Sequence, residues 1–174
     1  MSFSTSSILG VDLNNASTTQ LFTLNQKVTG NDSTEWQYVY ATAALATGQF
    51  VAINTGGTAN IFTGVSALTG AGVLGTTGNL DIGVAQFTVA AGSYAFIAKR
   101  GFNLYVACSG TILPNTGMGF GTGGQLVPEA SVAVNATAFG IAITNTAAST
   151  ATASVATAIL TYPRFALYAS SVLP

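Results

Sequence analysis

Charged side chains are the scarcest feature of this 174-residue chain, which has only four Lys plus Arg and five Asp plus Glu. They make up 5% of the residues, against about 25% in an average soluble domain. The four cations, Lys27, Lys99, Arg100 and Arg164, are too few and too scattered to neutralise a run of phosphates. We therefore expect no nucleic-acid partner.

Histidine is absent and cysteine occurs once. The chain alone cannot form a Ser/His/Asp triad, a Cys/His pair, an internal disulfide or a Cys/His zinc site. We expect no enzyme, no cofactor and no metal, and we interpret Cys108 as a small buried strand residue.

Asp32 and Glu35 in NDSTE are the closest carboxylates. We interpret them as turn residues before a strand, because two such groups specify neither a hydrolase nor a calcium site.

Long apolar runs are also missing. Residues 36–80 carry no charge, but Gly, Thr, Asn and Gln interrupt them, and no run of about 18 apolar residues occurs. Alternation alone would also allow a transmembrane barrel, yet the start MSFSTSSILG does not resemble an export signal. We therefore expect no membrane partner and assembly in a cytoplasm.

What replaces the charge is small residues, because Ala, Thr, Gly and Ser make up half of the chain. Disorder is not expected, since 49% of the residues are hydrophobic and 10% are aromatic. The length suits one domain with a substantial core. A polar surface with a net charge of -1 provides little repulsion between copies, so the composition favours association.

The hydrophobic pattern has a period near two, which is typical of strands. In EWQYVYA (35–41), Trp36, Tyr38 and Tyr40 share one face, and we expect that face to be core. Helix formation is limited to at most two turns in YATAALATG. The further predicted strands are QLFTL (20–24), QFVAIN (49–54), ANIFTGV (59–65), LDIGVAQFTV (80–89), SYAFIAK (93–99), NLYVAC (103–108), FGIAIT (139–144) and ASVATAILTY (153–162).

These short strands predict an all-β fold, either an antiparallel β-sandwich or a small β-barrel, with extended N- and C-terminal arms. We place an N-terminal arm at residues 1–19, the β domain at 20–164 and a C-terminal tail at 165–174. The tail is either a second arm or a closing strand. Few charges and four prolines are available to protect strand edges, so either the sheet closes on itself or neighbouring chains cover it.

Two local motifs invite a functional interpretation. GMGFGTGGQL (117–126) has the glycines of a nucleotide loop but no following Lys-Ser or Lys-Thr and no helix, so we interpret it as a turn or bulge. Lys99-Arg100-Gly101 is the one cationic pair, at a predicted strand end. It indicates either solvated charge at a hairpin or a salt bridge to an acidic partner.

The segments EWQYVYATAALATGQFVAI, LDIGVAQFTVAAGSYAFIAKRG, the Gly-rich turn before QLV, and FGIAI leading to LTYPR resemble the capsid decoration, or cement, proteins of tailed bacteriophages. The resemblance spans about residues 35–164. It implies a β-rich protein that binds the outside of an icosahedral shell after expansion, bridges major capsid subunits and has no catalytic site. No binding motif of that family can be matched to particular residues.

We therefore expect a virion structural protein on the capsid exterior, whose partners are the major capsid protein and further copies of itself, with a trimer favoured. The candidate contacts lie in both arms and at the isolated cations: Phe3, Ile8, Leu9, Lys99, Arg100, Arg164, Phe165 and Tyr168.

Two alternatives remain open. One is a carbohydrate-binding module that uses exposed Trp36 or Tyr38 as a stacking platform, and the other is a self-assembling shell or fibre subunit.

Overall fold

The structure, a computed structural model, describes residues 11–30, 33–62, 81–114, 117–121, 123–128, 136–145 and 154–167. These residues form an all-β fold, as predicted. They contain no helix long and apolar enough to cross a membrane. The ten strands are β1 (Lys27–Thr29), β2 (Glu35–Ala41), β3 (Phe50–Ile53), β4 (Thr58–Ile61), β5 (Asp81–Val84), β6 (Ser93–Cys108), β7 (Met118–Phe120), β8 (Leu126–Pro128), β9 (Ala136–Ile143) and β10 (Ser154–Leu167).

Five of the strands close into a small barrel. β6 pairs antiparallel with β2, β2 pairs in parallel with β4, and β4 pairs antiparallel with β3. β3 pairs antiparallel with β5, and β5 returns to β6 through the pair Val84 and Ala98. Of the two predicted architectures, the barrel is therefore the one found.

The barrel interior is filled by small aliphatic side chains. Cross-strand partners lie on the same face, so the register places Ala41, Ala59 and Ile53 on one side of the sheet. Together with alternate residues of β2, β3 and β6 they form one buried cluster. That cluster consists of Val39, Ala41, Leu45, Val51, Ile53, Ala59, Ala85, Val89, Ala95 and Ile97. A narrow barrel has room for Ala and Val rather than aromatic rings.

Most of the outer face of the barrel is buried as well, although Asn60 of β4 is exposed. Trp36, Tyr38, Phe50 and Phe96 belong to a second, larger cluster, which continues into the rest of the sheet. There, β6 pairs with β10, β10 with β9, β9 with β7, β7 with β8, and β8 with β6. The pairings of β9 with β7 and of β8 with β6 involve one residue pair each. The strands therefore form two closed rings, the barrel (β2, β4, β3, β5, β6) and a second ring (β6, β10, β9, β7, β8), and both include β6.

β6 serves both sets because it is 16 residues long and bends in its middle. The partners of Trp36 and Glu35 are Ala98 and Arg100, which leaves Lys99 as an extra residue. Gly101 and Asn103 both have positive φ, 152° and 54°. A bulge of this kind bends a strand without ending it. The prediction of two strands joined by a hairpin at Arg100-Gly101 was therefore wrong.

The other strand predictions differ in outcome. β2, β3, β4, β5, β9 and β10 form within or overlap the predicted segments. Residues 20–24 lie in bends and turns rather than a strand, and β1, β7 and β8 were not predicted. No helix forms at residues 40–48. The glycine-rich segment is confirmed as a turn, since the Gly121 N–H donates to the Gln125 carbonyl at 2.9 Å between β7 and β8.

The described part of the predicted N-terminal arm packs on the barrel of its own chain. Val11 and Leu13 are buried in the larger core, and Ser17 pairs with Tyr94 through two backbone hydrogen bonds of 2.9 and 2.7 Å. Residues 165–167 continue β10, as a closing strand would. Residues 1–10 and 168–174 lie outside the described part.

Because the barrel closes, its strands have no unpaired edge that a neighbouring chain would have to cover. Each of β2 to β6 has a hydrogen-bonded neighbour on both sides. A neighbouring chain is therefore not needed at these edges, and a partner must be argued from surfaces instead.

Lys99 lies in the interior of the barrel, which corrects its interpretation as solvated charge at a strand end. The residue is 1% exposed, and its Nζ donates to Asp81 Oδ1 and to the Ile82 carbonyl. A Cβ on Gly83 would lie 3.3 Å from Lys99 Cδ, so the missing side chain leaves room for the lysine stem. Its burial excludes Lys99 as a surface contact.

Lys99 should make stability depend on alkaline pH. Burial lowers the pKa of Lys99 from its ordinary value of 10.5, although the hydrogen bond and charge of Asp81 oppose this. Between the folded and unfolded pKa values the unfolded chain binds more protons, so the free energy of unfolding rises with pH. We expect wild type to gain stability relative to Lys99→Met as the pH rises toward 10.5 in guanidinium unfolding. A constant difference would contradict this linkage.

The same pair predicts an asymmetry between its two members. Asp81→Asn leaves the buried ammonium without its counter-charge and should cost about 2 kcal/mol, less than in a fully buried pair because Asp81 is 43% exposed. Lys99→Met removes the buried charge and should cost less than Asp81→Asn, as the same unfolding curves would measure.

Glycine at position 140 is required by the bend of β9. Its φ is 74°, and a Cβ would lie 2.7 Å from the Thr161 carbonyl oxygen and 2.8 Å from that of Tyr162. Gly140→Ala should therefore cost about 2–4 kcal/mol. Gly123, with φ 78° and nothing within 4 Å of its Cβ position, is the matched control. Gly123→Ala should cost only about 1 kcal/mol, and equal losses of thermal stability would show that backbone contact at Gly140 is unimportant.

Candidate functional site

The predicted contact residue Arg100 lies where β2 and β10 meet along β6. Arg100 pairs with Glu35 at the start of β2 and with Thr161 of β10. The N-terminal half of β6 therefore belongs to β2, and its C-terminal half to β10. We call the region around Arg100, Glu35, Lys27 and Tyr162 the strand junction.

Glu35 connects three elements at the strand junction. Its Oε1 lies 3.7 Å from Lys27 Nζ on β1, and its Oε2 accepts a hydrogen bond of 2.6 Å from the Tyr162 hydroxyl on β10. Tyr162 reaches it because the pairing of β10 with β9 shifts between Leu160 and Arg164, with Tyr162 at φ 55°. Sequence reasoning treated Glu35 as a turn residue and missed this role, because its partner is 127 residues away.

Beneath the strand junction, the start of β2 is fixed by the larger core. Trp36 Nε1 donates to Thr34 Oγ1 at 2.8 Å, which satisfies the one polar group of a buried indole. A Cβ on Gly101 would lie 2.5 Å from Thr34 Cγ2, so the bend of β6 and the Thr34 side chain fit together only with glycine there. The strand junction is therefore a rigid part of the fold.

Arg100 and Lys27 are both exposed cations of this region. Among the described residues, the ion pairs join Lys27 to Glu35 and Lys99 to Asp81, and neither involves Arg100. The guanidinium therefore lies on the surface beside a carboxylate already bonded to two other groups.

The structure brings some of the other predicted contacts close in the fold. Arg164 and Phe165 follow Thr161, the partner of Arg100, by three and four residues on β10, and their backbones pair with Phe139 and Ala138. Phe3, Ile8, Leu9 and Tyr168 fall outside the described residues.

Two of the three aromatic residues of β2 belong to the core, as predicted. Trp36 and Tyr38 are buried, and Tyr38 packs against Phe96 with ring centroids 4.9 Å apart. Tyr40 is only partly buried. The burial of Trp36 and Tyr38 contradicts their use as an exposed stacking platform for sugars.

A shallow groove lies where the segment before β1 crosses β2 and β6. Its volume is about 200 Å³, and its floor includes the rings of Phe22, Tyr38, Tyr94 and Phe96. The Tyr38 hydroxyl, which accepts from the Leu21 N–H at 3.0 Å, ties this segment to the floor. The sequence pattern, which favours a strand over residues 20–24, does not predict this groove.

A second surface missed by sequence reasoning is the outer side of β6 and β10. Leu104, Val106, Ala156, Ala158 and Leu160 point into the larger core. The alternate residues therefore point outward, and Tyr105 (50%) and Val155 (48%) are large and exposed. Phe102, between the positive-φ residues Gly101 and Asn103 of the bend, is also 62% exposed. We call this surface, with Thr157 and Ile159, the β6–β10 face.

The described part of the chain contains no group of three or more acidic, His or Cys side chains able to hold a metal ion. Cys108 is buried in the larger core, as predicted, and burial raises its pKa to about 11. Its thiol is therefore protonated at neutral pH.

A scan against protein-family models finds no match, and a search of curated proteins finds none either. Among solved structures, the chain is similar to the N base of the head fiber protein gp8.5 of bacteriophage phi29. The TM-score is 0.47 and the sequence identity 12%, over 73% of this chain and 93% of that one.

The contact between Tyr162 and Glu35 should contribute measurably to stability. A hydrogen bond from a hydroxyl to a carboxylate contributes about 1.5 kcal/mol, and Tyr162→Phe removes it without changing the ring. A double-mutant cycle with Glu35→Gln, measured by denaturant unfolding, should give a coupling energy of about 1 kcal/mol. Additive single-variant effects would contradict a coupled strand junction.

Proposed function

We propose that this chain is a virion structural protein that binds the outer surface of an icosahedral capsid and stabilises contacts between major capsid protein subunits. Its role is mechanical rather than catalytic. The cement-protein resemblance of residues 35–164 agrees with this role.

The observation that carries the proposal is an exterior with few charges on a sheet that closes by itself. Asp12, Lys27, Glu35, Asp81 and Arg100 reach solvent, whereas Lys99 is buried. A freely diffusing protein usually relies on surface charge to remain dispersed. An exterior so poor in charge is suited to being covered by other subunits.

Arg100 provides the polar part of the proposed contact. An exposed guanidinium can form two parallel hydrogen bonds with a carboxylate, which fixes orientation as well as adding affinity. The strand junction holds the Arg100 backbone rigidly through two neighbouring strands. An acidic group on a capsid subunit is therefore the partner that this position fits best.

Stabilisation would arise from repetition. Apolar burial contributes about 25 cal/mol per Å², and entropy and desolvation reduce the yield of each contact. Many copies on one shell nevertheless raise the barrier to separating its subunits, since a copy that bridges two subunits must lose both contacts.

The direct test mixes the purified chain with expanded, undecorated shells of the virus that encodes it. We expect the chain to sediment with the shells and to raise their temperature of disruption. Absence of both effects would overturn the proposal. Formation of ordered particles by the chain alone would instead favour a self-assembling shell or fibre subunit.

Arg100→Ala should weaken shell binding about tenfold or more, because a desolvated charge pair loses one partner, while unfolding of the free chain stays nearly unchanged. Lys27→Ala is the matched control, since Lys27 is an exposed cation of the same region. If both variants bind shells as wild type does, Arg100 is not a contact residue.

A further inference from the structure

The groove between the segment before β1 and strands β2 and β6 combines aromatic rings with an acidic rim. Its described lining includes the rings of Phe22, Tyr38, Tyr94 and Phe96 and the polar residues Asp12, Asn15 and Ser17. Phe22 and Tyr94 are only partly buried, so part of each ring remains open to the groove. Ring faces carry partial negative charge, and rings beside a carboxylate therefore form surroundings that favour a cation.

The floor of the groove is held in place by the fold itself. Tyr38 packs against Phe96 with ring centroids 4.9 Å apart, and its hydroxyl accepts from the Leu21 N–H at 3.0 Å. Ser17 and Tyr94 exchange two backbone hydrogen bonds, which attach the other side of the groove to β6. The groove therefore exists before a ligand arrives, and a ligand does not have to order it.

Asp12 supplies the negative charge at this groove. The Asn14 N–H donates to Asp12 Oδ1 at 3.0 Å, and a carboxylate has room for further donors, because its two oxygens offer about four acceptor sites. Neither of the ion pairs among the described residues includes Asp12. The described lining of the groove contains no Lys or Arg. The groove is therefore complementary to a cation that another molecule supplies.

We propose that the groove binds an arginine side chain of a partner polypeptide, with the guanidinium on the aromatic floor and hydrogen-bonded to Asp12. A guanidinium that rests on this floor lies within about 6 Å of a ring centroid, where the cation–π attraction acts. Its planar fork can also donate two parallel hydrogen bonds to one carboxylate. The ammonium of lysine is a compact and more strongly hydrated charge, so arginine fits the combination of rings and carboxylate better.

The size of the groove limits its occupant to about one side chain. Its volume of about 200 Å³ lies below the range of about 300–1,000 Å³ that is typical of pockets for drug-sized ligands. A free amino acid would also bring an α-carboxylate, which the described lining cannot neutralise and which Asp12 repels. A side chain that projects from a polypeptide brings no such group. The occupant is therefore arginine within a chain rather than the free amino acid.

This inference goes beyond the proposed function and does not depend on it, because its test uses the purified full chain without shells. The probe is arginine capped at both ends, N-acetyl-arginine N-methylamide, titrated while NMR follows the backbone amide signals. Saturable shifts should be largest at Leu21 and Tyr94, with a dissociation constant of about 1–10 mM for a single side chain. The matched probe is capped citrulline, which has nearly the same shape without the charge and should bind at least about fivefold more weakly.

Asp12→Asn tests the acidic rim. Asparagine keeps the shape of the side chain and can still accept from the Asn14 N–H, so the variant should fold and bind capped arginine about fivefold more weakly. Val155→Lys is the matched control, because it changes the net charge by the same amount at an exposed position of β10 outside the groove lining. Val155→Lys should bind capped arginine as wild type does.

Equal binding of capped arginine and capped citrulline would overturn the proposal, as would wild-type affinity in Asp12→Asn or the absence of saturable shifts up to about 50 mM. Tighter binding of capped lysine, of free arginine or of methyl glucoside than of capped arginine would also overturn it, since each result assigns the groove a different occupant.

Discussion

The fold depends on the backbone pairing of β6, because both closed sets of strands use it. Its N-terminal half completes the barrel with β2 and β5, and its C-terminal half pairs with β10 and β8. β6 bends between these two halves. The extra residue at Lys99 and the positive φ angles of Gly101 and Asn103 supply the bend. The irregular residues 161–163 of β10 and Gly140 of β9 follow the same bend on the neighbouring strands.

Burial on both faces of the barrel strands explains much of the composition. Val39 and Ala41 fill the barrel, while Trp36 and Tyr38 of the same strand belong to the larger core. A strand covered on both faces has little place for charge, and a narrow barrel needs small side chains. This accounts for the lack of charge after Glu35 in β2 and throughout β3. It does not account for the β6–β10 face, which is open to solvent and has the exposed Arg100, opposite Thr161, at one end.

Local sequence patterns predicted the strand content well and the long-range arrangement poorly. EWQYVYA alternates clearly, so Trp36 and Tyr38 were recognised as core, but a period of two cannot show that the opposite face is buried too. Arg100-Gly101 is typical of a turn, but the same dipeptide also occurs at a bulge within a continuous strand, so the sequence does not distinguish the two. Lys99 was expected in solvent because only the fold brings Asp81 beside it. The strand junction could not be predicted for the same reason, since Glu35 and Tyr162 come from distant parts of the chain. β1, β7 and β8, three residues each, are too short to show a period.

The position of β6 along the chain also orders the steps of folding. All five barrel strands lie within residues 35–108, so the barrel can close while the remainder is still being synthesised. The second half of β6 can form its backbone hydrogen bonds with β10 only after about 50 further residues have been synthesised. Until β10 is synthesised, the second half of β6 has an unpaired edge. Nascent chains on neighbouring ribosomes of the same mRNA can pair with that edge. Pairings so distant in sequence are slow to form, and the final yield of native protein therefore depends on how crowded the growing chains are.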